Sequence, residues 1–301
     1  MFGNLARWCE DYNTQFYARQ AARREKRERI ANAWRQAQTV QVVRPSAPSA
    51  VIPFPSTPSV KVEKSWVLPS APYNKDYAAM LNSTHILIAG TTGSGKSVVL
   101  NGIIHTALTL LSPSAAEFIL VDPKIVELSN YKNLPHIQEY LTDDEEVADM
   151  LEEVYTEMME RYEEMDAKHL RKYDGKDLYI IIDELADLMT GEYSRRIKTG
   201  LQRLLQKGRA AKIHIIAATQ APSRKVIPAE IVLNFTDRIA LRCLSSIESR
   251  QIINVSGAEK IKGYGKAMYL SPSAGITWLS IPFVSDETLD EIVSFWEDQD
   301  E

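Results

Sequence analysis

Cysteine is nearly missing from this 301-residue chain: Cys9 and Cys243 are all it has, too few for a disulfide framework or a Cys-rich zinc site. Histidine is scarce too. His85, His105, His136, His169 and His214 show no metal-ligand spacing, and each reads as a core or surface residue. No apolar run approaches the ~18 residues that span a bilayer, and the amino terminus lacks the layout of a secretory signal. These absences point to a cytoplasmic protein without a transmembrane segment. Positive charge is not in excess either: 35 Lys and Arg against 40 Asp and Glu leave a formal net charge of −5. Whole-chain charge does not advertise nucleic acid, although a ring or cleft can be basic inside and acidic outside.

What is present is a globular composition, 45% hydrophobic and 25% charged, in a chain long enough for one large domain or two small ones. Residues 1–40 carry Phe2, Leu5, Trp8, Tyr12 and Phe16 at helical spacing, followed by the basic run AARREKRER. Such a helix suits a protein partner, nucleic acid or a membrane surface, and suits equally well a solvated helix covering the domain that follows. Residues 41–60 are rich in Pro, Ser and Ala, a linker composition. Residues 61–301 make the main domain.

That domain is organised around HILIAGTTGSGKSVVL, which begins at His85. An apolar strand run feeds Gly90, Thr91, Thr92, Gly93, Ser94, Gly95, Lys96 and Ser97, and a helical pattern follows. This is GxxxxGKS in strand, loop, helix context. Glycines let successive N–H groups turn inward around a β-phosphate, and the positive end of the next helix adds attraction. Lys96 would reach the β- and γ-phosphates of ATP, and the Ser97 hydroxyl would ligate Mg²⁺.

Apolar runs predict further strands at 118–121, 178–182, 213–218, 238–243, 267–270 and 276–281. Helices are expected at 96–111, from a capping box of Thr142 and Glu145 to about 165, and from Ser285 to Trp296. The methionines of the long helix read as core filler. Alternating strands and helices imply an α/β fold with a largely parallel central sheet flanked by helices and ligands at the strand carboxyl ends. The run LYIIIDE places Asp183 and Glu184 at one such end. Asp183 would hold Mg²⁺ through water and Glu184 would act as general base for hydrolysis. Gln220, at a neighbouring strand tip, could touch the γ-phosphate or its water, although a strand-end Gln taken alone is more often structural.

The successive segments GTTGSGKS, DPKIVELSNYKNLPHI, VYTEMMERYEEM, IIIDELADLM, LQKGRAAKIHIIAATQAPS and SRQIINVSGAEKIKGYGKAMYL resemble, in order, the motifs of the FtsK/SpoIIIE family of DNA translocases. The resemblance implies a RecA-like P-loop ATPase that assembles as a ring, usually a hexamer, around double-stranded DNA, with ATP sites between neighbours. It assigns Lys96 and Ser97 to phosphate and Mg²⁺, Asp183 and Glu184 to metal and water, and Gln220 to γ-phosphate sensing. It makes Arg209 the candidate finger for a neighbour's site, with Arg250 a weaker second. DNA contacts are expected from two cationic loops, one with Arg195, Arg196 and Lys198, the other with Arg224 and Lys225. Clustered cations suit phosphates and are indifferent to sequence.

Lys212 and Lys266 depart from the family pattern, standing where Gly and Asp are usual. No winged-helix module follows the motor, so directional reading of DNA sequence is not expected. A DNA motor for mobile-element transfer, packaging, replication or chromosome segregation is the leading expectation. A type VII-like secretion ring ATPase engaging protein substrates is the alternative.

Overall fold

The isoleucine-rich runs form the middle of an eight-stranded sheet. A computed structural model describes residues 75–283 and 285–297; the helix expected at 1–40 and the linker at 41–60 lie outside the described residues. In chain order the elements are α1 Lys75–Met80, β1 His85–Ala89, α2 Lys96–Leu110, β2 Ala116–Val121, β3 Ile137–Leu141, α3 Asp144–Ala167, β4 Asp177–Ile182 and α4 Leu185–Leu188. There follow α5 Ser194–Lys207, β5 Ile213–Thr219, α6 Ala229–Asn234, β6 Asp237–Ala240, α7 Ser246–Ile253, β7 Lys266–Ser271, β8 Gly275–Ser280 and α8 Asp286–Glu297.

The strands lie in the order β3-β2-β4-β5-β1-β6-β7-β8. From β3 across to β6 all pairings are parallel, and the β7–β8 hairpin closes the edge antiparallel. A parallel interior has to be covered on both faces, which is why its strands read as continuous apolar runs. Successive side chains on β4 divide accordingly. Tyr179 and Ile181 face a core shared with α1, α2 and α8, while Leu178, Ile180 and Ile182 face a second core shared with α3, α5 and α6. A smaller cluster of Ala240, Ile252, Ile253 and Met268 seats α7. Met150 and Met158 are buried in the second core as filler, and Met165 is buried further along the same helix.

Several local expectations change. β3 and α1 go beyond the sequence reading. The first mixes polar with apolar residues at an edge, and the second is a short turn of helix held by Tyr77, whose ring lies against Gly102 of α2. The cap of α3 is Asp143, not Thr142: its carboxylate accepts from the N–H groups of Glu145 (2.9 Å) and Glu146 (3.3 Å), and Asp ranks above Thr as a cap. β6 ends at Ala240, short of the expected 243, and the chain beyond it runs beside the phosphate loop, where the Arg242 carbonyl accepts from the Thr91 N–H. Ser285 does cap α8, accepting from the Thr288 N–H at 3.3 Å. Since the strands from β3 to β6 are parallel, the loops after β1, β2, β4, β5 and β6 gather on one edge, where open α/β sheets bind ligands.

Candidate active site

The loop from β1 to α2 is shaped by its glycines. Gly93 and Gly95 have φ of 69° and 100°, the left-handed region that glycine enters without strain, and nothing lies within 4 Å of where a Cβ would stand. Gly90 is required for a different reason. A Cβ there would meet Leu241 Cβ at 2.7 Å and Ser94 Oγ at 2.6 Å, so the loop rests directly on the chain leaving β6. The Thr91 N–H (3.0 Å) and hydroxyl (3.2 Å) both donate to the Arg242 carbonyl.

Lys96 is buried and donates to the carbonyls of Gly90 and Thr91, each at 3.0 Å. Burial holds its pKa below the ordinary lysine value, while Glu184 and Asp183 oppose that shift. Among the described residues Ser94 Oγ is buried without a hydrogen-bond partner, and no side chain caps α2. An orphaned hydroxyl, left-handed glycines beside open space, and an ammonium whose hydrogen bonds go to its own loop fit a polyphosphate.

Strand register brings the remaining groups to this loop. Ile182 pairs with Ala217, and Ala217 with Leu87. Glu184 is thus level with Thr219 and Ala89, and Gln220 stands between the Glu184 carboxylate and the phosphate loop. The Gln220 N–H donates to Glu184 Oε1 (3.1 Å) and Oε2 (3.2 Å), and its side-chain oxygen accepts from the Thr92 hydroxyl at 2.6 Å. The Ala186 N–H also donates to Glu184 Oε1, at 3.3 Å. Glu184 is 2% exposed.

Asp183 beside it is half-buried, its carboxyl pushed up to about 6 by burial and by Glu127, Asp122 and Glu184, with Lys124 opposing. That surplus of negative charge is one a divalent cation would balance. Among the described residues no cluster of three or more His, Cys, Asp or Glu could hold a metal by itself. Ser97 and Asp183 make a sparse oxygen donor set, of the kind that shares Mg²⁺ with phosphates.

A family model described as FtsK/SpoIIIE matches residues 60–179 and 175–224, more than half of the sequence. The chain belongs to the FtsK/SpoIIIE family. DNA translocases FtsK from Caulobacter vibrioides and Lactococcus lactis IL1403 are 36% identical over 270 residues and 38% over 239, covering 76% and 72% of this chain. The matches span only 32% and 31% of those relatives. Among solved structures, the conjugation coupling protein TcpA of pCW3, in its monomer form with ATPγS, superposes with a TM-score of 0.63 at 24% identity. It covers 72% of this chain and 66% of that one. The cytoplasmic domain of the Thermomonospora curvata type VII secretion ATPase EccC gives 0.59 at 21%, over 71% of this chain and 28% of that one. At these identities the two likenesses establish the P-loop ATPase fold.

The departures from the FtsK/SpoIIIE pattern now have a setting. Lys212 has φ 56°, a conformation that explains why glycine is usual there. Its ammonium reaches Asp177 Oδ2 (3.2 Å) and the Gly175 carbonyl (2.9 Å). Lys266 opens β7 as an exposed residue just after Gly265, whose φ is 76°.

Arg209 is exposed in the turn before β5, at the amino-terminal ends of the strands. The adjoining Gly208 lies against His85, the first residue of β1. It is therefore remote from its own chain's phosphate loop. Arg250 lies on α7, its guanidinium donating to Ser246 Oγ at 3.2 Å.

The first cationic segment is a helix, not a loop. Arg195, Arg196 and Lys198 occupy the first turns of α5, whose apolar stripe of Ile197, Leu201, Leu204 and Leu205 packs into the second core. Arg196 is engaged with α3, donating to Asp149 Oδ1 (2.8 Å) and Glu152 Oε1 (2.9 Å). Contact with DNA through Arg196 would have to compete with this partly buried ion pair. Arg224 and Lys225 are exposed in the loop after β5, the strand whose end carries Gln220.

The sequence reading gave no role to Lys124. Its ammonium lies 3.7 Å from Glu184 Oε2 and 3.4 Å from Asp187 Oδ2. Those carboxylates, with Asp183, hold its pKa above the ordinary value against the effect of burial. The signal was a lysine three residues past the end of a buried strand, at the same edge of the sheet as Asp183, Glu184 and Gln220.

Proposed function

We propose that the chain is the ATP-hydrolysing motor of a double-stranded DNA translocase. It works in the cytoplasm as a ring of copies, hexameric as the family pattern implies. The observation that carries the reading is the linkage at the strand ends: a buried carboxylate, Glu184, takes hydrogen bonds from Gln220, and Gln220 in turn meets Thr92 of the phosphate loop. A hydrolytic base, a sensor and a phosphate cradle are thereby mechanically joined.

In this mechanism the loop from Gly90 to Ser97 takes the triphosphate of ATP. Lys96 exchanges the Gly90 and Thr91 carbonyls for phosphate oxygens. Ser97 and Asp183 would hold Mg²⁺, which when bound neutralises charge on the phosphates. Glu184 accepts the proton of the attacking water, and Gln220 responds to the γ-phosphate. Arg209, remote from its own site, supplies a guanidinium to the next copy's. Arg195, Lys198, Arg224 and Lys225 meet DNA phosphates, contacts that position the duplex without reading its sequence. The amino-terminal 40 residues are assigned to a protein partner or a membrane surface.

The reading is tested by measuring ATP hydrolysis with long duplex DNA, with single-stranded DNA and with none. The motor accelerates on duplex. A secretion ATPase ignores DNA and responds to a protein ligand, and that outcome overturns the proposal.

A further inference from the structure

The loop leaving β2 is wound more tightly than a connection needs. Asp122 is fully buried; its Oδ2 accepts from the Leu128 N–H (3.0 Å) and the Tyr140 hydroxyl (3.1 Å), and its carbonyl accepts from the Ile125 N–H (3.1 Å). Between these braces Ile125 is held at φ 58°. A β-branched residue there is an outlier, and the left-handed region costs about 1–2 kcal/mol for a residue with a Cβ. Burial gives nothing back, because Ile125 and Val126 are 62% and 68% exposed. Strain retained at a site edge points to a use for the geometry it enforces, and what this turn enforces is the placement of Lys124.

Lys124 reaches back across the strand ends to Glu184. Among the described residues that carboxylate is otherwise held through backbone N–H groups, Ala186 on Oε1 and Gln220 on both oxygens. The ammonium adds an anchor on the Oε2 side, and Asp187 gives it a second, more exposed foothold. A surface Lys–Asp pair contributes little by itself, so the consequence lies at the buried partner. We propose that Lys124 is a positioning residue for hydrolysis: it fixes the orientation of the Glu184 carboxylate toward the attacking water. This rests on the reading of Glu184 as the base.

The test uses the full chain with Lys124→Met, Lys124→Arg, Glu184→Gln and the double variant Lys124→Met/Glu184→Gln. Steady-state ATP hydrolysis is measured in parallel with binding of fluorescent ATPγS and ADP. Lys124→Met should lower kcat about tenfold or more, with KM and both affinities within about twofold of the parent. Lys124→Arg should recover most of the loss, and the double variant should be no slower than Glu184→Gln alone, because one group acts through the other.

Normal turnover in Lys124→Met overturns the inference while leaving Glu184 in place. Weakened ATPγS binding with unchanged ADP binding also overturns it, since Lys124 would then be holding the γ-phosphate. Additive losses in the double variant count against it equally. Normal turnover in Glu184→Gln is the distinguishable case in which the reading of Glu184 fails and carries the inference with it.

Discussion

Replacing Lys212 separates backbone strain from side-chain bonding at one position. The residue has φ 56°, and its ammonium is paired with Asp177 at 3.2 Å, with side-chain exposures of 20% and 25%. Lys212→Ala keeps the left-handed backbone and loses the ion pair and the bond to the Gly175 carbonyl, a cost of about 1 kcal/mol. Lys212→Gly loses the same contacts but recovers about 1–2 kcal/mol of left-handed strain. About 0.5–1 kcal/mol of that is offset by the freedom glycine adds to the unfolded chain.

The expected order of stability is therefore Lys or Gly first, with Ala below Gly by about 0.5–1 kcal/mol. That gap is about 1–4 °C in Tm for a domain of this size, and urea midpoints resolve it. Acid adds a second signature. Burial by itself would raise the Asp177 carboxyl, but the hydrogen bond and charge of His214, together with Lys212, hold it below the ordinary carboxylate value. A depressed carboxyl contributes stability above its unfolded pKa and loses it as pH falls through the folded one. The deficit of Lys212→Ala should accordingly be full at neutral pH and shrink once pH falls below about 4. An Ala variant as stable as the Gly variant, or a deficit independent of pH, would refute the reasoning.

Glu184→Gln should bind ATP with little change while turnover falls by about 10²-fold or more, seen as single-turnover hydrolysis against fluorescent-nucleotide binding; near-normal hydrolysis excludes Glu184 as the base. Arg224→Ala with Lys225→Ala should leave basal hydrolysis intact, reduce DNA stimulation, and lower the slope of log affinity against log salt by about 2. Arg196→Ala should instead lower thermal stability by about 1–3 kcal/mol, since it removes a charged hydrogen bond from Asp149, whose side chain is 3% exposed, while the salt slope stays put. Mixing Lys96→Ala with Arg209→Ala copies should restore part of the hydrolysis that each lacks alone, and no rescue at any ratio counts against action on a neighbour.

The phosphate loop and the Asp183–Glu184 pair were legible because local chemistry dictates them. A buried strand followed by glycines and a lysine has few other uses, and a carboxylate pair at a strand end is costly unless it has partners. The helices with long apolar stripes were legible for the same local reason. β3 was not, since Ile137–Leu141 alternates weakly and becomes a strand only by pairing with β2. Nor was the helical placement of Arg195 to Lys198 used, although Ile197, Leu201, Leu204 and Leu205 carry the helical period.

Bracing contacts were invisible for a stronger reason. Arg196 reaches α3 across more than 40 residues, and Lys124 meets Glu184 only because β2 and β4 are neighbours. Spacing along the chain holds no trace of such contacts. Lys212 is an intermediate case: the substitution for glycine was apparent, but only the backbone angle gives its physical meaning.

Hydrolysis at this site is proposed to move duplex DNA. Displacement of a third strand from a long duplex measures that directly. The parent chain should displace it in an ATP-dependent way and Lys96→Ala should not, with hydrolysis rising on the same duplex. A chain that hydrolyses ATP at one rate with and without DNA, and leaves the third strand bound, would contradict it.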